Sequence, residues 1–135
     1  MSLAHLFDHP QFLRRVLIVD ALASGAMGLL LLAAAGVLAG PLGLPSTLML
    51  GAGAILVPYA AAVLWLARRP ALPRAAVWLV IAINVLWVVE SVAVLLVGWT
   101  HPTLPGQAFV LMQAAFVALM AELEFIGLRR LPARS

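Results

Sequence analysis

Residues 16–40 read VLIVDALASGAMGLLLLAAAGVLAG, with Arg14 and Arg15 before them and Pro41 directly after. One aspartate interrupts a run that exceeds the ~20 residues a helix needs to cross ~30 Å of hydrocarbon. The run is rich in Ala, Leu and Gly and lacks the strict alternation of a half-buried strand, so it reads as a helix. Three further runs follow: about 47–67, stopped by Arg68, Arg69 and Pro70; about 75–99, stopped by HPTLPG; and about 107–128, stopped by Arg129 and Arg130. Pro and Gly punctuate the turns between them, as helix stop signals do. The expected fold is all-α: a single polytopic domain over 1–135 that forms a four-helix transmembrane bundle.

Composition agrees. The 135 residues are 65% hydrophobic and only 10% charged, with a mean hydropathy of +1.14. Soluble domains carry about 25% charged residues, so this chain lacks the polar surface to cover a water-soluble globule. It has no cysteine, which removes disulfides, thiolate metal sites and thiol chemistry. The net charge of +3 comes from arginines in short clusters between apolar runs. Such clusters suit lipid phosphates rather than nucleic acid.

The arginines also set the threading. Arg14 and Arg15 precede the first span, Arg68, Arg69 and Arg74 lie between the second and third, and Arg129, Arg130 and Arg134 follow the fourth. The other two loops, Pro41–Ser46 and Thr100–Gly106, have none. The positive-inside rule then places both termini and the middle loop in the cytoplasm. Met1–Leu13 carries His5, Asp8, His9 and Pro10 where a signal peptide needs a basic start and an apolar core, so the first span is expected to remain in place. Trp65, Trp78 and Trp99 fall near the expected water interfaces, where aromatic residues anchor helices.

The two halves echo each other at a spacing of about sixty residues. WLARRPA (65–71) ends the second run and GLRRLPA (127–133) ends the fourth, while Arg14 and Arg74 open the first and third. Two hairpins of equal orientation would be related by an axis along the membrane normal.

Polar groups at membrane depth are where chemistry would reside, because an ionised side chain at the helix centre costs roughly 2.5–3.5 kcal/mol or more. Glu90 lies sixteen residues past Arg74, ~24 Å along the third helix, and Gln113 comes to a similar height on the fourth. Glu90, Gln113, Asn84 and Ser91 therefore form a candidate intramembrane polar site, with a Glu90–Gln113 hydrogen bond expected. Asn84, Trp87 and Ser91, at i, i+3 and i+7, make one stripe on the third helix. Asp20, Glu122 and Glu124 lie closer to the arginines and form a second group. An ion-pair ring with Arg14, Arg15, Arg68 and Arg69 is expected there. Glu122 and Glu124 point to different faces, so at most one of them can turn inward comfortably. Ala21, Ser24, Gly25 and Gly28 give the first helix a small-residue face, Gly36 and Gly40 a GxxxG, and Gly51 and Gly53 open the second helix; all favour close helix contact. Pro58 is expected to kink the second helix. His5 and His9 have ligand spacing but His101 lies in the opposite loop, so no metal site and no cofactor are expected. Nothing matches a nucleophile elbow, a P-loop or a dinucleotide fingerprint.

The stretches DALASGAMGLL (20–30), LVPYAAAVLWLARRP (56–70), INVLWVVES (83–91) and AELEFIGLRR (121–130) resemble those of small bacterial four-helix integral membrane proteins. That resemblance implies the fold and the bacterial inner membrane, and no particular activity. The expected role is non-enzymatic: an accessory or scaffolding subunit of a membrane assembly, or a homo-oligomer, with the bilayer and other membrane subunits as partners. The alternative is a small proton-coupled transporter or channel that uses Glu90.

Overall fold

The computed structural model describes residues 11–98 and 100–130. Over these the chain forms four helices: α1 (Phe12–Leu42), α2 (Ser46–Ala67), α3 (Arg74–Leu96) and α4 (Leu104–Arg129). All four are long and apolar enough to cross a membrane. The segment with His5 and His9, the tail with Arg134, and Trp99, the expected end of the third span, lie outside the described residues.

Helix boundaries depart from the hydropathy runs for local reasons. α1 takes Arg14 and Arg15 into its first turns and runs past Pro41 to Leu42. It stops at Gly43, which has a left-handed φ of 64° and returns its N–H to the Gly40 carbonyl, while the Leu44 N–H returns to Ala39. A side chain would be strained at that φ. α4 starts at Leu104 rather than near 107, because Thr103 caps it: the Thr103 hydroxyl accepts the Gly106 N–H at 3.2 Å. Pro105 then sits in the first turn, where its missing N–H costs nothing.

α1 packs along α2, α3 along α4, and α1 also against α4. Glycine sets the closest approaches. A Cβ on Gly53 would lie 2.8 Å from the Gly28 carbonyl oxygen, and one on Gly106 would collide with that of Leu42. The small residues expected to favour close helix contact thus serve in part to seat α1 against its own neighbours. Gly36, Gly40 and Gly51 do not: a Cβ on any of them would meet nothing within 4 Å.

The two hairpins close alike. The Arg14 guanidinium donates to the carbonyls of Ala67, Arg69 and Pro70 at the end of α2. The Arg74 guanidinium donates to the Leu128 carbonyl at the end of α4, at 3.2 Å. Each hairpin is therefore tied by the arginine that opens it to the unpaired carbonyls that end it, where the helix dipole favours a cation. At the opposite end Thr103 joins the hairpins, its hydroxyl donating to the Pro41 carbonyl at 2.6 Å and its N–H to that of Leu42 at 3.0 Å.

Two apolar clusters fill the interior. One, at the arginine end, includes Leu13, Leu17, Val63, Val77 and Leu128. The other, toward the opposite end, includes Leu31, Ala35, Met49, Leu56 and Val110. Along each helix a polar side chain falls between them: Asp20 on α1, Tyr59 on α2, Asn84 on α3 and Glu124 on α4.

Candidate functional site

Those four side chains meet. Asp20, Asn84 and Glu124 are buried, Glu124 completely so, and Tyr59 is half-buried. The Asn84 Nδ2 amide donates both to Asp20 Oδ2 at 3.1 Å and to Glu124 Oε1 at 2.8 Å, bridging carboxyls from α1 and α4. The Tyr59 hydroxyl lies 2.8 Å from Asp20 Oδ2 and 2.9 Å from Asn84 Oδ1. It has one proton and can donate to only one of them at a time. Ser24, one turn above Asp20, donates to Asp20 Oδ1 at 3.1 Å. Asp20 is thus well supplied with donors. Glu124 is not: its Oε2 is buried with no hydrogen-bond partner.

The arrangement differs from the expected ion-pair ring. Arg14 is committed to the end of α2, and the Arg69 guanidinium lies 4.9 Å above the Trp65 ring. Arg15 and Arg68 are exposed, as is Glu122. Asp20 and Glu124 bond to neutral Ser24, Tyr59 and Asn84 instead. The reason is depth. By helix rise the two acids lie ~8 Å inside the nearest arginines, and guanidinium groups do better on exposed helix ends and aromatic rims, where they keep their water. Trp65, Trp78 and Phe125 form that rim, with Arg129 5.6 Å above Phe125 and Trp78 tilted against Phe125.

The second expected group is divided. Asn84 belongs to the carboxyl centre, whereas Gln113, Ser91 and Trp87 form a chain of their own nearer the opposite end. Trp87 Nε1 donates to Gln113 Oε1 at 2.8 Å, Gln113 Nε2 donates to Ser91 Oγ at 2.9 Å, and Ser91 donates to the Trp87 carbonyl at 2.7 Å. Gln113 also donates to the Val110 carbonyl. The expected Glu90–Gln113 bond does not form: the amide is already used, and among the described residues the exposed Glu90 carboxyl has no hydrogen-bond partner. Tyr59, the centre's hydroxyl, was not singled out from the sequence. It is the chain's only tyrosine, and a depth count from Arg68 places it ~13 Å in, close to Asn84 at ~15 Å from Arg74.

Two cavities lie along the bundle. The larger, about 360 Å³, is a groove among all four helices that has Glu90 on its lining along with Met27, Leu31, Ile55 and Phe109. The smaller, about 250 Å³, reaches Ser24. Met27, Leu56, Trp87 and Gln113 line both. The groove and the smaller pocket thus adjoin, and the smaller one reaches a hydrogen-bond donor to Asp20.

No family model, curated protein or solved structure matches the chain.

Proposed function

We propose that the chain is a small multi-pass protein of the bacterial inner membrane, with both termini and the middle loop cytoplasmic, that couples proton uptake at the Asp20–Asn84–Glu124 centre to passage of a small solute. One observation carries this reading: two buried carboxyls share a single amide, and among the described residues no arginine is bonded to either. Two carboxylates in that setting repel each other strongly, and one bound proton relieves the repulsion, as in other paired-carboxyl sites. The chemistry accommodates a change of occupancy without moving heavy atoms. The Tyr59 hydroxyl can donate to Asp20 Oδ2 or to Asn84 Oδ1 by rotation of its proton. A proton held by the pair has a place on Glu124 Oε2, the buried oxygen without a partner, while Asp20 keeps its donors from Ser24, Tyr59 and Asn84. The small pocket at Ser24 supplies an approach to Asp20.

Infrared spectroscopy on reconstituted membranes tests the proton directly. A protonated carboxylic acid has a C=O stretch that a carboxylate lacks. The wild type at neutral pH is expected to show this band and Glu124→Gln to lose it. A wild type without the band would sink the proposal. The threading is tested apart from the chemistry, by reporter fusions after Ser135 and within Pro41–Ser46. The first is expected to report the cytoplasm and the second the far side; a C-terminus outside would reverse the assigned direction.

A second reading, an accessory or scaffolding subunit or a homo-oligomer, is favoured by the exposed Gly36–Gly40 face, where among the described residues nothing lies within 4 Å of an added Cβ. Small-residue faces of this kind admit a second helix at close range. Light scattering of the chain in mild detergent decides it, a strictly monomeric species counting against self-association.

A further inference from the structure

We propose that the groove is a binding site for a monovalent organic cation with an apolar body. The site is separate from the Asp20–Glu124 centre. As a substrate site it rests on the transport reading; as a binding site it does not.

Three features on the groove wall select that ligand class. Its volume, about 360 Å³, lies in the range of roughly 300–1,000 Å³ typical of small-molecule sites. Its wall is apolar, with Met27, Leu31, Ile55 and Phe109 among its side chains. Among the described residues that line it, the one charged side chain is Glu90, about six residues, or ~9 Å, from the end of α3. The polar neighbours that could have neutralised Glu90 are engaged: Gln113 binds Trp87 and Ser91, and Ser91 binds the Trp87 carbonyl. A carboxylate held at that depth without a partner is costly, and an acyl chain lying in the groove would not relieve it. A cation would, with its apolar body against the wall and its charge at Glu90. The Trp87 ring, half-buried on the same wall, offers a π face of the type that cations favour. Anions are repelled, and neutral molecules gain only the apolar contact.

The test is equilibrium binding of methyltriphenylphosphonium to the full chain in nanodiscs of zwitterionic lipid, with neutral triphenylphosphine oxide as the comparator of similar shape. The wild type is expected to bind the cation saturably, one per chain, and the neutral compound at least about tenfold more weakly. Glu90→Gln is expected to weaken the cation by about tenfold or more and leave the neutral compound unchanged. Gly51→Phe provides a second arm: Gly51 lines the groove and its Cβ would meet nothing within 4 Å, so a ring can be added at the groove wall without a clash at its root. It is expected to weaken both compounds. Unsaturable binding, equal binding of the two compounds, an unaffected Glu90→Gln, or an unaffected Gly51→Phe would each overturn the proposal. Because no proton gradient is imposed, these outcomes do not depend on proton carriage at Asp20 and Glu124.

Discussion

Asn84→Ala is expected to lower the stability of the bundle at neutral pH by about 3 kcal/mol, the low end of what it costs to leave a buried charge without its partner. The size of the loss separates two explanations. Hydrogen bonds between transmembrane helices average only about 0.6 kcal/mol each, so losing Asn84's two donated bonds, to Asp20 and Glu124, would account for roughly 1 kcal/mol. The remainder is the cost of leaving two carboxyls face to face with no shared donor. A second substitution checks that account. Asp20→Asn supplies an amide and removes one charge, so Asp20→Asn with Asn84→Ala is expected to be more stable than Asn84→Ala alone. Contacting residues depart from additivity in this way. Denaturation of all three variants in one detergent gives the cycle. A single-variant loss near 1 kcal/mol, or strictly additive losses, would reduce Asn84 to an ordinary interhelical bond.

How much of this was legible in the sequence follows from what each signal measures. Hydropathy sums over many residues and is insensitive to any one contact, so the four helices stood out, along with the arginine-free loops. The ends did not, because capping is decided by single residues. Thr103 and Gly43 carry the relevant information, in a hydroxyl three residues before an N–H and in a glycine after an apolar run, yet both lie inside segments that read simply as turns. The carboxyl centre was harder. Asp20 and Glu124 were visible as acids near arginines, and electrostatics alone suggested pairing with them. What decides otherwise is rotation about four helix axes, which turns Tyr59 and Asn84 inward at the same height and leaves Arg15 and Arg68 outside. Counting residues along a helix gives depth to within about a turn, but the azimuth of each helix is set by packing. That packing depends on contacts such as Gly28 with Gly53, twenty-five residues apart and beyond the reach of any local pattern. Glu90 shows the same limit: its height matched Gln113, but Gln113 turned to Trp87.

Glu124→Gln is expected to abolish proton-driven uptake, by on the order of 100-fold, the lower range of what a positioned proton-transfer group contributes, while the bundle remains at least as stable as the wild type. The substitution preserves volume and leaves an oxygen to accept from Asn84 where Glu124 Oε1 now accepts at 2.8 Å. Its new amide N–H₂ takes the place of Oε2, the buried oxygen without a partner, and can donate where no donor existed. Asp20 then keeps its neutral donors and has no second carboxyl beside it, so the centre has no reason to take up a proton. Uptake of methyltriphenylphosphonium into proteoliposomes measures this, with the membrane potential clamped by potassium and valinomycin and the flux through empty vesicles subtracted. An imposed pH gradient is expected to accelerate wild-type flux and to leave Glu124→Gln flux unchanged. Exchange of labelled for unlabelled cation, which moves no net proton, is expected to persist in the variant. Glu90→Gln is expected to do the reverse, weakening saturation by the cation while keeping the response to the gradient. Gradient-driven uptake by Glu124→Gln within twofold of the wild type would remove the pair as proton carrier and leave it as a polar clamp between α1, α3 and α4.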